Sequence, residues 1–141
     1  MPGGKPLNNN FPCVSMMDWR GNGSDTARTW ALQMTIDIMG NGEKKVYPVN
    51  ATEPSTTPAI WSLPGVVYSI GFELSSGQRV VLITNTNSSA ASVSVPGATG
   101  GKAHTVDASA GYEEVPYSTK TLGREQLQLA PSAFVLIELK R

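Results

Sequence analysis

The sequence has few of the residues that usually build metal sites and disulfides. Its 141 residues include one cysteine, Cys13, and one histidine, His104. A lone cysteine cannot form an internal disulfide and cannot contribute to a thiolate cluster. Because Cys13 lies in an apolar run, we expect its thiol to be buried and unreactive. The composition therefore predicts no metal ion and no cofactor.

Charged residues are scarce and balanced. They make up 16% of the chain, and 11 basic residues offset 11 acidic ones. Neither sign forms a long run, which argues against nucleic acid or an anionic membrane surface as an electrostatic partner. No apolar stretch approaches the roughly 20 residues that span a bilayer. We predict neither a nucleic-acid partner nor a membrane partner.

The first ten residues, MPGGKPLNNN, are polar and offer little to pack. We interpret residues 1–10 as a flexible lead. They lack the apolar core of a secretory signal, so the chain as given carries no export signal and its compartment stays open.

Turn-forming residues are abundant, with 14 glycines and 10 prolines. From residue 43 onward, apolar and polar residues alternate, which is typical of strands. Turn signals such as Ser75-Ser76-Gly77 and Pro96-Gly97 separate the strands. We predict strands over residues 44–49, 66–73, 79–84, 91–95, 102–106, 126–129 and 133–139. The pattern predicts a mainly β protein, an antiparallel β-sandwich of the Greek-key type, with one N-terminal α-helix.

The helix precedes these strands. Ser24 or Asp25 is its expected N-cap, and Gly40-Asn41-Gly42 ends it after Met39. One apolar stripe comprises Ala27, Trp30, Ala31, Met34 and Ile38, and a second comprises Leu32, Ile36 and Met39. Two apolar faces require two packing partners. We therefore predict self-association or a companion domain, through the face formed by Trp30, Met34 and Ile38.

Two further groups of residues are candidates for chemistry. His104 with Asp107, Glu113 and Glu114 has the side-chain types of an acid–base or metal cluster. Without a ligand-spacing motif, a structural role is favoured, with His104 in a strand and both glutamates in a solvated loop. Trp61, Tyr68, Tyr112 and Tyr117 are aromatic residues that either stack on sugars or pack within the sandwich. Residues 50–65 hold several prolines and are interpreted as an excursion that covers a sheet edge with Ile60 and Trp61.

Four segments together resemble the C-terminal end of retaining (β/α)8-barrel glycoside hydrolases with an appended β-sandwich, as in families 39 and 79. FPCVSMMDW resembles the eighth barrel strand, and TARTWALQMTIDIMGNGEKKV resembles the last barrel helix and its exit. GQRVVLITNTNSSAASVSVPGATGG carries an LxxNxxxxxxxVxxPG-like pattern, and LQLAPSAFVLIEL resembles the final sandwich strand. The resemblance divides the chain into the lead, a strand–loop–helix remnant of a barrel over residues 11–42, and a sandwich domain over residues 43–141.

The resemblance implies a non-catalytic accessory region. A complete barrel takes about 250 residues. Its two catalytic carboxylates would lie on the fourth and seventh strands, upstream of this sequence, so no catalytic residue is assigned here. Trp19 occupies the end of the eighth strand, where such barrels place an aromatic residue against the sugar, with Asp18 and Arg20 as polar neighbours. The candidate carbohydrate contacts are Trp19, Asp18, Arg20, Trp61 and Tyr112. A free-standing carbohydrate-binding protein and a small glycan-active hydrolase are the alternatives.

Overall fold

A computed structural model describes residues 27–47, 67–107 and 117–141. In these ranges one helix, α1 (Ala27–Met39), precedes eight strands. The strands are β1 (Lys44–Tyr47), β2 (Val67–Leu74), β3 (Arg79–Asn85), β4 (Ala91–Ser94), β5 (Lys102–Val106), β6 (Ser118–Thr121), β7 (Gln126–Leu129) and β8 (Phe134–Glu138). The fold is mainly β, with antiparallel strand pairs and one helix, as predicted.

The strands form two sheets of unequal size. Six of them pair in the order β1-β2-β3-β8-β5-β6, and β4 pairs with β7 in a second sheet. The chain leaves the large sheet after β3, returns as β5, leaves again after β6, and returns as β8 between β3 and β5. These crossings place the small sheet against one face of the large one, while α1 lies against the other face.

The core has two layers because successive strand residues point to opposite faces of a sheet. In β3 and β8, Val81, Ile83, Val135 and Ile137 face the small sheet, where they pack against side chains such as Leu129. The intervening residues face the helix. That second layer contains Met34, Met39, Val80, Val106 and Leu136 as its buried members.

The helix ends where the sequence predicts. Gly40 adopts a φ of 61°, a left-handed conformation that favours glycine, and its N–H donates to the Ile36 carbonyl at 2.9 Å. The predicted hairpin after β2 is also present. The Gly77 N–H donates to the Leu74 carbonyl at 2.8 Å, and Gly77 has a φ of 77°. Local turn chemistry therefore fixes the end of α1 and the turn between β2 and β3.

The predicted strands agree with the observed ones to within about two residues, but β6 was not predicted. Its sequence, Ser-Thr-Lys-Thr, has no apolar alternation, and all four side chains are exposed. The strand forms because its backbone pairs with β5, from Lys102 opposite Thr121 to Thr105 opposite Ser118. The predicted barrel strand at residues 11–19, the N-cap and the excursion at residues 50–65 lie outside the described residues.

Asn85 joins two loops at the end of β3. Its side chain is 0% exposed, and its Nδ2 donates to the carbonyls of Ser89 and Ala130 at 2.9 Å each. Its Oδ1 accepts from the Asn87 N–H at 3.0 Å. One buried amide therefore satisfies backbone groups in the loop before β4 and in the loop before β8.

Candidate functional sites

None of the five carbohydrate contacts predicted from the sequence falls within the described residues. Trp19, Asp18, Arg20, Trp61 and Tyr112 lie outside the described residues, as do Glu113 and Glu114. Of the other aromatic residues considered for sugar stacking, Tyr68 is half-buried in β2 and Tyr117 packs against the helix layer.

His104 lies in a strand, as predicted, and both of its ring nitrogens have hydrogen-bonding partners. It belongs to β5 and is 5% exposed. Nδ1 lies 2.9 Å from the Thr119 hydroxyl, and Nε2 lies 2.8 Å from Oε2 of Glu138. Among the described residues, no three side chains of the His, Cys, Asp or Glu types form a group that could hold a metal ion. The ring thus links three strands at the helix-facing surface of the sheet.

A second polar contact attaches the helix to the sheet. The Tyr117 hydroxyl donates to Oδ2 of Asp37 at 2.8 Å, and Gln33 Nε2 donates to Oδ1 of the same carboxylate at 2.6 Å. The hydrogen bond with Asp37 raises the pKa of Tyr117, and burial and the negative charge of Asp37 act in the same direction. The Tyr117 ring meets His104 edge to face, with ring centroids 6.0 Å apart. These contacts fix the rotation of α1 about its own axis.

Two apolar side chains of α1 are exposed, beside the exposed polar residues Gln33 and Asp37. Leu32 is 52% exposed and Ile36 is 47% exposed, and their spacing of four residues places them side by side on the helix. We call this pair the outer helix face. An exposed apolar patch on an otherwise packed helix is typical of a contact surface.

The predicted position of the partner face is corrected by this arrangement. The sequence assigned the partner contact to Trp30, Met34 and Ile38. Met34 is fully buried, and Trp30 and Ile38 pack beside it against the helix layer of the large sheet. This stripe covers the apolar surface of the protein's own sheet. In the second stripe Leu32 and Ile36 are exposed, whereas Met39 is buried.

A group at the edge of the large sheet places an exposed aromatic ring beside charged side chains. Strand pairing sets Tyr47 opposite Gly71, and Glu73 opposite Arg79, so all four share one face. The Tyr47 ring is 45% exposed, and its hydroxyl lies 3.5 Å from Oε2 of Glu73. A recess of about 350 Å³ lies beside the ring, bounded by these residues and Leu139. We call this group the Tyr47 shelf.

The shelf combines an aromatic plane with a hydrogen-bond acceptor and a donor. Among the described residues, no carboxylate lies within ion-pair distance of the Arg79 guanidinium. An exposed ring provides an apolar surface for the face of a sugar, while a carboxylate and a guanidinium pair with its hydroxyls. The sequence-based search missed Tyr47, although strand alternation in Lys-Lys-Val-Tyr would have placed it on the same face as Lys45.

Comparison with protein families, curated proteins and solved structures found no match to this chain. Within the described ranges, no helix has the length and apolar character needed to cross a bilayer.

Proposed function

We propose that this chain is a non-catalytic accessory β-sandwich region of a glycoside-hydrolase-like protein, and that α1 joins the sandwich to a catalytic barrel. The observation that carries the proposal is that α1 packs on the sheet through one face and leaves apolar residues exposed on the other. One face is buried on the sheet, while Leu32 and Ile36 on the other face are exposed. In the resemblance drawn from the sequence, this helix is the last helix of the barrel, which gives the outer helix face its partner.

The role of such a region is mechanical. The buried stripe and the bond between Tyr117 and Asp37 hold α1 in one orientation on the large sheet. A barrel packed on the outer helix face would then keep a fixed orientation relative to the sandwich. The sandwich in turn covers apolar surface of the barrel that would otherwise face water.

The proposal is tested by recovering the native protein with an antibody against the β3–β4 region. We expect the chain to be recovered as part of a longer polypeptide that includes a barrel, or in a stable complex with one. The recovered material should hydrolyse aryl glycosides, whereas the isolated chain should not. Recovery of the chain by itself, without a barrel or glycosidase activity, would contradict the proposal.

Paired variants make this test specific to the helix. Leu32→Glu combined with Ile36→Glu places two charges on the outer helix face. If the barrel is a separate chain, the double variant should no longer bind it. If barrel and sandwich share one chain, the double variant should destabilise the contact between them. Val46→Glu is the matched control, because Val46 is an apolar residue that is 57% exposed on β1 and is not part of the outer helix face. Equal effects of the two changes would rule out the outer helix face as the contact.

The Tyr47 shelf supports a second candidate function, that of a carbohydrate-binding protein. In affinity electrophoresis against a panel of neutral polysaccharides, we expect retardation by at least one of them. Tyr47→Ala should abolish it by removing the ring, and Tyr47→Phe should retain most of it. Val46→Ala, on the opposite face of the same strand, should have no effect. Retardation that persists in Tyr47→Ala would exclude the shelf as the binding site.

A further inference from the structure

The two sheets separate at one side of the sandwich and leave an open groove. One wall is β6, the outer strand of the large sheet, and the other is β7, which pairs with β4 in the small sheet. The floor is apolar, formed by Ala103, Leu122 and Leu127. The polar lining consists of Thr105, Ser118, Lys120, Arg124, Gln126 and Gln128. We call the space bounded by these apolar and polar residues the β6–β7 groove. Its volume is about 580 Å³, within the range of ligand sites in proteins.

The groove carries positive charge that no described residue neutralises. Within the described part of the chain, neither Lys120 nor Arg124 has an ion-pair partner, and no carboxylate lines the groove. Glu125, the adjacent acidic residue, has its Oε1 2.7 Å from the N–H of Gly97, from which it accepts a hydrogen bond. The chain is neutral as a whole, but two cations with no carboxylate beside them lie together in this groove.

The neutral polar side chains of the groove also lack hydrogen-bonding partners among the described residues. The side chains of Thr105, Ser118, Gln126 and Gln128 make no hydrogen bond to any residue in the described ranges. Two amides and two hydroxyls therefore stand beside two cations in one open groove. Groups of these types are donors and acceptors suited to hydroxyl and carboxylate groups of a ligand.

We propose that the β6–β7 groove binds an acidic polysaccharide, with Lys120 and Arg124 pairing with sugar carboxylates and the amides and hydroxyls pairing with sugar hydroxyls. The ratio of four neutral groups to two cations favours this ligand over an acidic peptide. A sugar acid carries several hydroxyls for each carboxylate, whereas an acidic peptide offers carboxylates and backbone amides. The groove is separate from the Tyr47 shelf and from the outer helix face, so the proposal does not depend on a barrel.

The test measures binding of the purified chain to polygalacturonate by calorimetry at physiological ionic strength. The fully methyl-esterified polymer is the first control, since it keeps the backbone and removes the charge. We expect the esterified polymer to bind at least about tenfold more weakly, because hydrogen bonds to charged groups contribute enough for a factor of that size. Lys120→Gln and Arg124→Gln should each weaken binding to polygalacturonate by roughly tenfold.

Lys102→Gln is the matched control variant. Lys102 is exposed on the neighbouring strand β5, where the register places it on the opposite face from Lys120. It should leave affinity within about twofold, because screening by salt weakens charges that do not contact the ligand. Circular dichroism and thermal unfolding confirm that each variant folds.

Three results would overturn the proposal: no binding of polygalacturonate, equal binding of the esterified polymer, or equal losses in Lys102→Gln and Lys120→Gln. Polyglutamate is the last probe. If it binds as tightly as polygalacturonate and responds to the same variants, the groove is a site for acidic polypeptides and the assignment to a polysaccharide is wrong.

Discussion

Asn85→Asp is expected to lower the free energy of unfolding by about 3 kcal/mol or more at neutral pH. The side chain is fully buried, and both hydrogens of its amide are directed at backbone carbonyls, those of Ser89 and Ala130. A carboxylate has the same shape but no donor. The substitution therefore leaves two carbonyls without their hydrogen bonds and places a negative charge beside them.

The effect of Asn85→Asp should depend on pH. Burial and the two carbonyls raise the pKa of the introduced carboxyl in the folded state above its value in the unfolded chain. The folded state then binds the proton more tightly, so stability recovers as pH falls and is lost as pH rises through the folded-state pKa. Even when protonated, the carboxyl supplies only one donor for two carbonyls, so recovery should be partial.

Urea unfolding at neutral and acidic pH measures both effects. Asn87→Asp is the control, because it makes the same chemical change two residues away, where the side chain has no hydrogen-bonding partner among the described residues. We expect it to change stability by no more than about 0.5 kcal/mol. Similar losses for the two variants would show that the cost comes from added charge in this loop and not from the donors of Asn85.

The sequence predicts the fold well where local rules decide it. The LxxNxxxxxxxVxxPG-like pattern contains Asn85, Val93 and the turn at Pro96-Gly97, and these residues do form a strand end, a buried strand position and a turn. Alternation located seven of the eight observed strands because their buried faces are apolar. It failed for β6, whose exposed side chains carry no pattern and whose pairing with β5 is a backbone property.

The sites were harder to predict because they depend on contacts between distant residues. Asp37 and Tyr117 are 80 residues apart, and Tyr47 and Glu73 are 26 apart. The sequence identified two apolar stripes on α1, but both have the 3.6-residue period, so the period alone could not show which one the sheet would bury. That choice depends on the shape of the sheet.

The balanced charge of the whole chain also did not predict the local excess of positive charge in the β6–β7 groove. Equal numbers of acidic and basic residues argued against polyanionic partners, but this inference concerns the chain as a whole. The folded chain brings Lys120 and Arg124 into one groove and directs Glu125 to the turn at Gly97. A neutral protein can thus present a cationic groove when its carboxylates are engaged elsewhere.

Gly101→Ala is expected to destabilise the protein by about 3 kcal/mol, as overpacking of a fixed backbone does. A Cβ atom at this position would overlap the Glu138 carbonyl oxygen and would lie 3.0 Å from that of Ala98. Both obstacles are backbone atoms. The turn cannot move aside freely, because the Gly101 N–H donates to the Ala98 carbonyl at 2.9 Å and the Gly101 carbonyl accepts from Leu122 at 2.8 Å.

Gly123→Ala separates this steric effect from the general cost of replacing a glycine. A Cβ at Gly123 would meet no atom within 4 Å, so the substitution should be neutral or stabilise by about 0.5 kcal/mol through the unfolded chain. Thermal unfolding of the pair should show a melting temperature about 10 °C lower for Gly101→Ala and nearly unchanged for Gly123→Ala. If Gly101→Ala has the same melting temperature as the unchanged protein, β8 is not held against the turn at Gly101. The packing that closes the sandwich beside the β6–β7 groove would then be looser than these contacts require.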